Sequence, residues 1–186
     1  MPVANSYATA EEYRNSIEMT DTGKDTDIIR DLEAVSRHID SRMSRFFIKD
    51  TEPVTRTYVV PATSTSLWVD DIAEIESIEV DGAVIEDYEL WPYNADKGPE
   101  PRPYMKIISP TGFCRGQRVK VTAKFGWPAV PAAIKSATIQ LTAILRLESP
   151  RATRRIEELG STIEASPDAQ SIIRQLMDGY KRIKYL

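Results

Sequence analysis

Apolar positions recur at helical spacing toward both ends of the chain and at strand spacing in its middle. Ile28, Leu32, Val35, Ile39, Met43 and Phe46 follow at intervals of four, three, four, four and three. That spacing lays them on one stripe of a long helix, Asp25 to Phe46. Arg30, Glu33, Arg37, Asp40 and Arg45 take the opposite face. A shorter helix is predicted from Thr9 to about Met19, because Thr9 followed by Glu12 has the form of a capping box. Thr20–Lys24 reads as the turn between them.

From Pro53 the period shortens. The pattern predicts strands at Arg56–Val60, Ser66–Val69, Glu76–Val80, Ala83–Ile85, Tyr88–Trp91, Met105–Ser109 and Arg118–Phe125. Asp81-Gly82 suits the positive φ angles of a two-residue hairpin turn. Asn94–Pro103, with three prolines and a glycine, predicts a mobile loop. In the last strand Val119, Val121 and Ala123 alternate with Lys120, Thr122 and Lys124, giving one buried and one basic face.

Gly126-Trp127-Pro128 ends the strand pattern, and Pro131 opens a helix to about Glu148. Ile134, Ala137, Ile139, Leu141, Ile144, Leu145 and Leu147 cover most of its circumference, which predicts a central buried helix. Beyond Ser149-Pro150, a basic stretch (Arg151, Arg154, Arg155) leads past Gly160 to Ser166-Pro167. These two residues read as the cap and first turn of a helix to about Lys181. The expected fold class is α+β: N-terminal helices and a central buried helix, an inserted antiparallel β region over 55–125, and a C-terminal helical tail. The expected division is a core over 1–150 and an extension over 151–186.

The 186 residues can bury a sizeable core without a staple, and one cysteine and one histidine leave little for metal or acid–base chemistry. No apolar run reaches the roughly 20 residues of a membrane span, and Met1–Ala10 lacks a signal-peptide pattern, so a soluble protein is expected. Phosphate-loop, nucleophile-elbow and zinc-protease motifs are missing. His38 lies at the edge of the long helix's stripe and reads as a half-buried structural residue. Cys114, in Thr111–Gly116 beside Arg115, has no partner base in the sequence and reads as an ordinary loop thiol. Trp68, Trp91 and Trp127 read as core anchors or sheet-edge covers. The expectation is no enzyme, no cofactor and no metal.

Charge is segregated along the chain. Thr65–Glu100 carries eleven acidic residues against Lys97, whereas Pro101–Leu147 carries eight basic residues and no acidic one. Two readings stand: adjacent strands neutralise each other within one sheet, or complementary faces meet between neighbouring subunits. The spacing of Asp70, Asp71, Glu74 and Glu76 fits no calcium loop. The tail helix has an apolar edge (Ile172, Ile173, Leu176, Tyr180) and a basic, aromatic end. It is expected to dock on another chain, with folding back onto its own chain as the alternative.

The arrangement over about residues 7–148 resembles the head–tail connector (adaptor, or head-completion) proteins of long-tailed bacteriophages. The likeness rests on the stripe ending Arg45-Phe46-Phe47, the Thr55–Val60 strand, Ile78-Glu79-Val80-Asp81-Gly82 followed by Tyr88-Glu89-Leu90, and Val119-Lys120-Val121-Thr122-Ala123-Lys124-Phe125-Gly126-Trp127-Pro128-Ala129-Val130-Pro131. The resemblance implies a non-catalytic virion protein at the head–tail junction, assembled in the host cytoplasm as a ring, usually dodecameric, under the portal. Such a ring extends the DNA channel without sequence-specific contacts, helps retain the genome, and receives the next connector or tail-completion protein. It places Asp70, Asp71, Glu74 and Glu76 at the channel or a subunit interface, with Arg118, Lys120 and Lys124 as the basic side of that interface. It makes Ile172, Leu176, Tyr180, Arg182, Ile183, Tyr185 and Leu186 a portal-docking tail. The alternatives are a tail-terminator or tail-completion protein, or a small nucleic-acid-binding module using the basic 101–147 stretch. The last predicts salt-sensitive duplex binding.

Overall fold

The computed structural model of the chain describes residues 5–148 and 167–180. Its order is α1 (Ala10–Ser16), α2 (Asp25–Met43), β1 (Val54–Val59), β2 (Ser64–Val80), β3 (Ala83–Val84), β4 (Glu89–Trp91), β5 (Tyr104–Phe113), β6 (Arg118–Phe125), α3 (Ala132–Glu148) and α4 (Pro167–Tyr180). The fold is α+β, as the alternating periods predict. It divides into two compact units, one from the chain up to Arg45 together with Val130 onward, the other Phe46–Ala129. The helices of both chain ends thus fall in one unit.

In the helical unit, Thr9 Oγ1 accepts from the Glu12 amide and Glu12 accepts from the Thr9 amide, so the predicted capping box is formed. The helix is shorter than expected because the chain leaves helical geometry at Ile17 and Glu18, the latter at φ 54°. On α2, Ile28, Leu32, Val35, Ile39 and Met43 are each at most 1% exposed, as the stripe requires. Phe46 breaks the pattern at 58% exposed. The helix stops at Met43, Ser44 turns left-handed at φ 53°, and the helical period no longer applies beyond it. Ala8, Ala10, Tyr13, Ile28 and Leu32 form a core that Ile139 and Ala143 of α3 cover. Lys135 on α3 pairs with Glu12 at 2.7 Å, and Arg146 pairs with Asp31 of α2.

The helix α3 is buried along Ile134, Ala137, Thr138, Leu141, Thr142 and Leu145, while Ala132, Ala133 and Gln140 are exposed. It is thus central but one-sided, narrower in burial than its apolar content predicts. Thr138 and Thr142 bury their hydroxyls by donating to the Ile134 and Thr138 carbonyls one turn back.

The second unit is a six-stranded antiparallel sheet ordered β1-β6-β2-β5-β4, with β3 also on β2. The predicted strands at 66–69 and 76–80 are one continuous strand, β2, running through the residues 70–75 left between them. Its first half pairs with β5 and its second with β6, with register shifts on either side of Ile72. Such bulges bend a strand and raise its twist. Val60, Leu67, Val69, Ile72, Ile78, Ile107, Phe113, Val119, Val121, Ala123 and Phe125 consequently share one core. The Asp81-Gly82 hairpin is present, both residues at positive φ. The 94–103 loop is irregular yet tied down, with Ala95 buried and its carbonyl accepting from the Arg102 amide at 2.9 Å.

The Gly126-Trp127 passage has a steric reason. Gly126 sits at φ 102°, its amide donates to the Asp71 carbonyl at 2.8 Å, and an added Cβ would collide with the Ile48 carbonyl oxygen. Trp127 then buries its indole against Phe47, ring centroids 5.3 Å apart.

Candidate assembly surfaces

Part of the charge segregation is resolved inside one sheet. Because β2 and β6 are antiparallel neighbours, Glu74 lies opposite Lys124 and Glu79 opposite Lys120, with ion pairs at 3.2 and 3.6 Å. Lys49 adds a second partner to Glu74 at 2.6 Å. Hydrogen bonds from Lys49 and then Lys124 hold the Glu74 carboxyl below its ordinary range.

The other acidic residues singled out above fall in different settings. Asp70 accepts from Arg56 at 2.9 Å and from the Tyr58 hydroxyl at 3.0 Å, and Arg56 also covers the Phe125 ring at 3.9 Å. Burial pushes the Tyr58 hydroxyl up to about 12. Asp71 is only 6% exposed and its carbonyl serves Gly126, so it belongs to the interior. Glu74 and Glu76 are the exposed members of the set, and Arg118 is exposed at the start of β6.

On the tail helix, Ala169, Ile173 and Leu176 are buried, Ile172 and Tyr180 are half-buried, and α4 packs on α3 and α2. The expectation that this apolar edge waits for another chain is therefore corrected for Leu176. The apolar faces of α2 and α3 offer α4 a seat within its own chain. Arg182, Ile183, Tyr185 and Leu186 lie outside the described residues, as do the stretch from Arg151 to Gly160 and the Ser166 cap.

His38 is half-buried on α2, and Cys114 is exposed in the β5–β6 turn. Among the described residues no group of three or more His, Cys, Asp or Glu side chains could hold a metal, and no helix is long and apolar enough to cross a membrane. Trp68 and Trp91 meet edge-to-face at 5.8 Å, with Lys106 Nζ 4.2 and 5.0 Å from their ring centres. They cover the sheet face beside a lysine stem, while Trp127 is the core anchor.

Sequence reasoning missed a cleft of about 630 Å³ lined by Ile75, Tyr88, Glu89, Leu90, Tyr93, Asn94, Asp96 and Tyr104. The Tyr93 hydroxyl donates to Glu89 at 2.8 Å and that of Tyr104 to Asp96 at 3.0 Å. The bond to Glu89 raises the Tyr93 pKa, whereas burial is the main cause for Tyr104. Three tyrosines within seventeen residues of acidic sequence were the available signal. They fall on a strand and in the segments beside it, so no periodicity joins them.

No family model matches this chain, and no curated protein matches it. Among solved structures, it is similar to a chain in the neck of an empty gene transfer agent (GTA) particle, computed with C6 symmetry. The identity is 16%, the coverage 95% of this chain and 90% of that one, and the TM-score 0.58. A chain in the neck of a native GTA particle, computed with C12 symmetry, gives 17% identity, the same coverages and a TM-score of 0.47. The first comparison shows a fold shared over nearly the whole of both chains.

Proposed function

We propose that this chain is a structural subunit of the neck that joins head to tail in a phage-like particle. The observation that carries the reading is the fold shared with the GTA neck chain at a TM-score of 0.58. The resemblance of Val119–Pro131 to the connector passage supports it from the sequence side. A neck subunit repeats around the channel axis, so the chain assembles with itself as a closed ring, twelve copies in the form the resemblance implies. Identical subunits close a ring through heterologous contacts, which need two different complementary surfaces on each copy.

In this reading the ring sits under the portal, continues the DNA channel, helps retain the genome and receives the next neck or tail component. Glu74 and Glu76, exposed on β2, face the channel or a neighbour. Glu74 is already paired with Lys49 and Lys124, so Glu76 is the carboxylate of the two whose charge repels the phosphate backbone of a sliding duplex. Ile172 and Tyr180, with the residues from Arg182 to Leu186, contact the portal. The chain has no catalytic role in this assembly.

The test is to mix the purified chain with portal rings of the same phage and weigh the product by native mass spectrometry, with electron microscopy for shape. A closed ring stacked coaxially on the portal is expected. Failure to associate across low and high salt, with capping of tail tubes instead, would replace this reading by a tail terminator. Salt-sensitive binding to free duplex as the sole activity would replace it by a nucleic-acid-binding module.

A further inference from the structure

We propose that the ring contact is an arginine turn entering a tyrosine-and-carboxylate cleft: the β5–β6 turn of one copy, with Arg115 and Arg118, seats in the cleft beside β4 of the next. This rests on the ring reading above and names the surfaces that reading requires.

The turn is built to present its side chains. The Cys114 amide donates to Gln117 Oε1 at 2.6 Å, Arg115 to Thr63 Oγ1 at 3.2 Å, and Gly116 to the Val60 carbonyl at 2.9 Å. The Val60 amide returns a bond to the Gln117 carbonyl at 3.0 Å, and the Arg118 amide is held by Asp81 Oδ1 at 2.9 Å. Arg115 and Arg118 themselves are exposed, and neither side chain forms an ion pair among the described residues. The other cations of this unit differ. Lys49, Arg56, Lys97, Lys120 and Lys124 are paired, Lys106 lies against the two tryptophans, and Arg102 sits on the loop that borders the cleft itself.

The cleft is suited to a guanidinium. Tyr88, Tyr93 and Tyr104 offer flat faces for stacking, and carboxylates offer the planar acceptor that arginine pairs with. Asp96 is shared between Tyr104 and Lys97, whereas among the described residues Glu89 accepts only the Tyr93 hydroxyl and has acceptor capacity left. Exposed Glu86 and Asp87 directly precede the cleft residue Tyr88 in the chain, and the sequence from Val84 through Asp96 contains no lysine or arginine to offset their charge.

The pairing within one copy leaves both surfaces open. Glu89 lies on β4 opposite Ile108 and Tyr104 lies opposite Ile72, while the turn follows Phe113, and neither Arg115 nor Arg118 pairs with Glu89 or Asp96 of its own copy. A turn that leaves its own cleft unfilled can serve the next copy, and a head-to-tail repeat that satisfies every cleft is the heterologous contact that closes a ring.

The experiment uses the full chain under conditions where it assembles, alone or on portal rings. Glu89→Arg, and separately Arg115→Glu with Arg118→Glu, are expected to weaken self-association by about tenfold or more. Combining the exchanges should restore part of it, a rescue that misfolding would not give. Cys114, the one cysteine of the chain, supplies a second readout. With Asp87→Cys, oxidation should give a disulfide ladder up to the full ring, whereas wild type stops at dimers and Glu52→Cys forms no ladder. Rings that assemble normally with both charge reversals, and give no ladder with Asp87→Cys, overturn this inference and leave the neck reading standing. A wild-type chain that forms no ring at all overturns both.

Discussion

Arg56 and Asp70 are joined by a 2.9 Å hydrogen bond although β6 lies between their strands. Register makes the pairing stranger still. Arg56 is opposite Val121, Val121 is opposite Ile78, and Asp70 is eight residues from Ile78 along β2. An extended strand would put about 26 Å between those rows. The contact therefore reports a sharp bend in β2 at its register shifts, which brings its first half over the face of β1 and β6.

That bend yields the first prediction. Asp70→Asn keeps the shape but removes the charge that holds Arg56 and Tyr58. Both side chains of the pair are 38% exposed, so solvent screens much of the attraction. The expected loss is about 1 kcal/mol, read by urea unfolding. An unchanged midpoint would show that the bend stands without the pair.

The closing turn of the sheet is far less tolerant. Gly126→Ala places a methyl group against the Ile48 carbonyl at φ 102°. The backbone must move while its amide is committed to Asp71. A loss of about 3 kcal/mol or more is expected, seen as a collapse in soluble yield or thermal midpoint. A variant as stable as wild type would contradict the geometry.

Asp40 should make stability depend on pH. It is 7% exposed on α2, accepts from the Tyr7 hydroxyl and pairs with Arg37 at 3.1 Å. Burial raises its pKa to about 6, outweighing the Tyr7 bond and the Arg37 charge. A carboxyl whose folded pKa exceeds its unfolded value near 4 stabilises the fold when protonated; that contribution is complete below about pH 4 and lost as pH rises through about 6. Asp40→Asn should remove this dependence, gaining on wild type between about pH 4 and 7 by up to about 3 kcal/mol. Parallel stability curves for the two proteins would refute the assignment.

The tail helix offers a fourth test. Leu176 is 5% exposed within the helical unit, so Leu176→Ala should cost about 2 kcal/mol of stability in the isolated chain. A helix that merely awaited a partner would tolerate the change and lose only portal binding.

Much of this fold is written in local pattern. The stripe predicted over Ile28–Phe46, which holds up to Met43, the Thr9–Glu12 capping box and the Asp81-Gly82 hairpin each depend on residues a few positions apart. What escaped depends on distant pairing. The predicted strands stop at Val69 and resume at Glu76, yet β2 runs through the gap because Ile72 pairs with both β5 and β6, strands more than thirty residues on. Glu74 and Lys124 look like surfaces for different partners until their register shows them opposite each other. The tyrosine cleft is assembled from β4, a loop and β5, and no single window contains it.

The most direct measurement of the central claim is the chain's location in the particle. Cryo-electron microscopy of the phage neck, with mass spectrometry of purified virions, supplies it. The account predicts density between portal and tail that accepts this fold as a closed ring, with β5–β6 turns meeting neighbouring clefts. A neck fully built from other chains, in virions lacking this one, would contradict it.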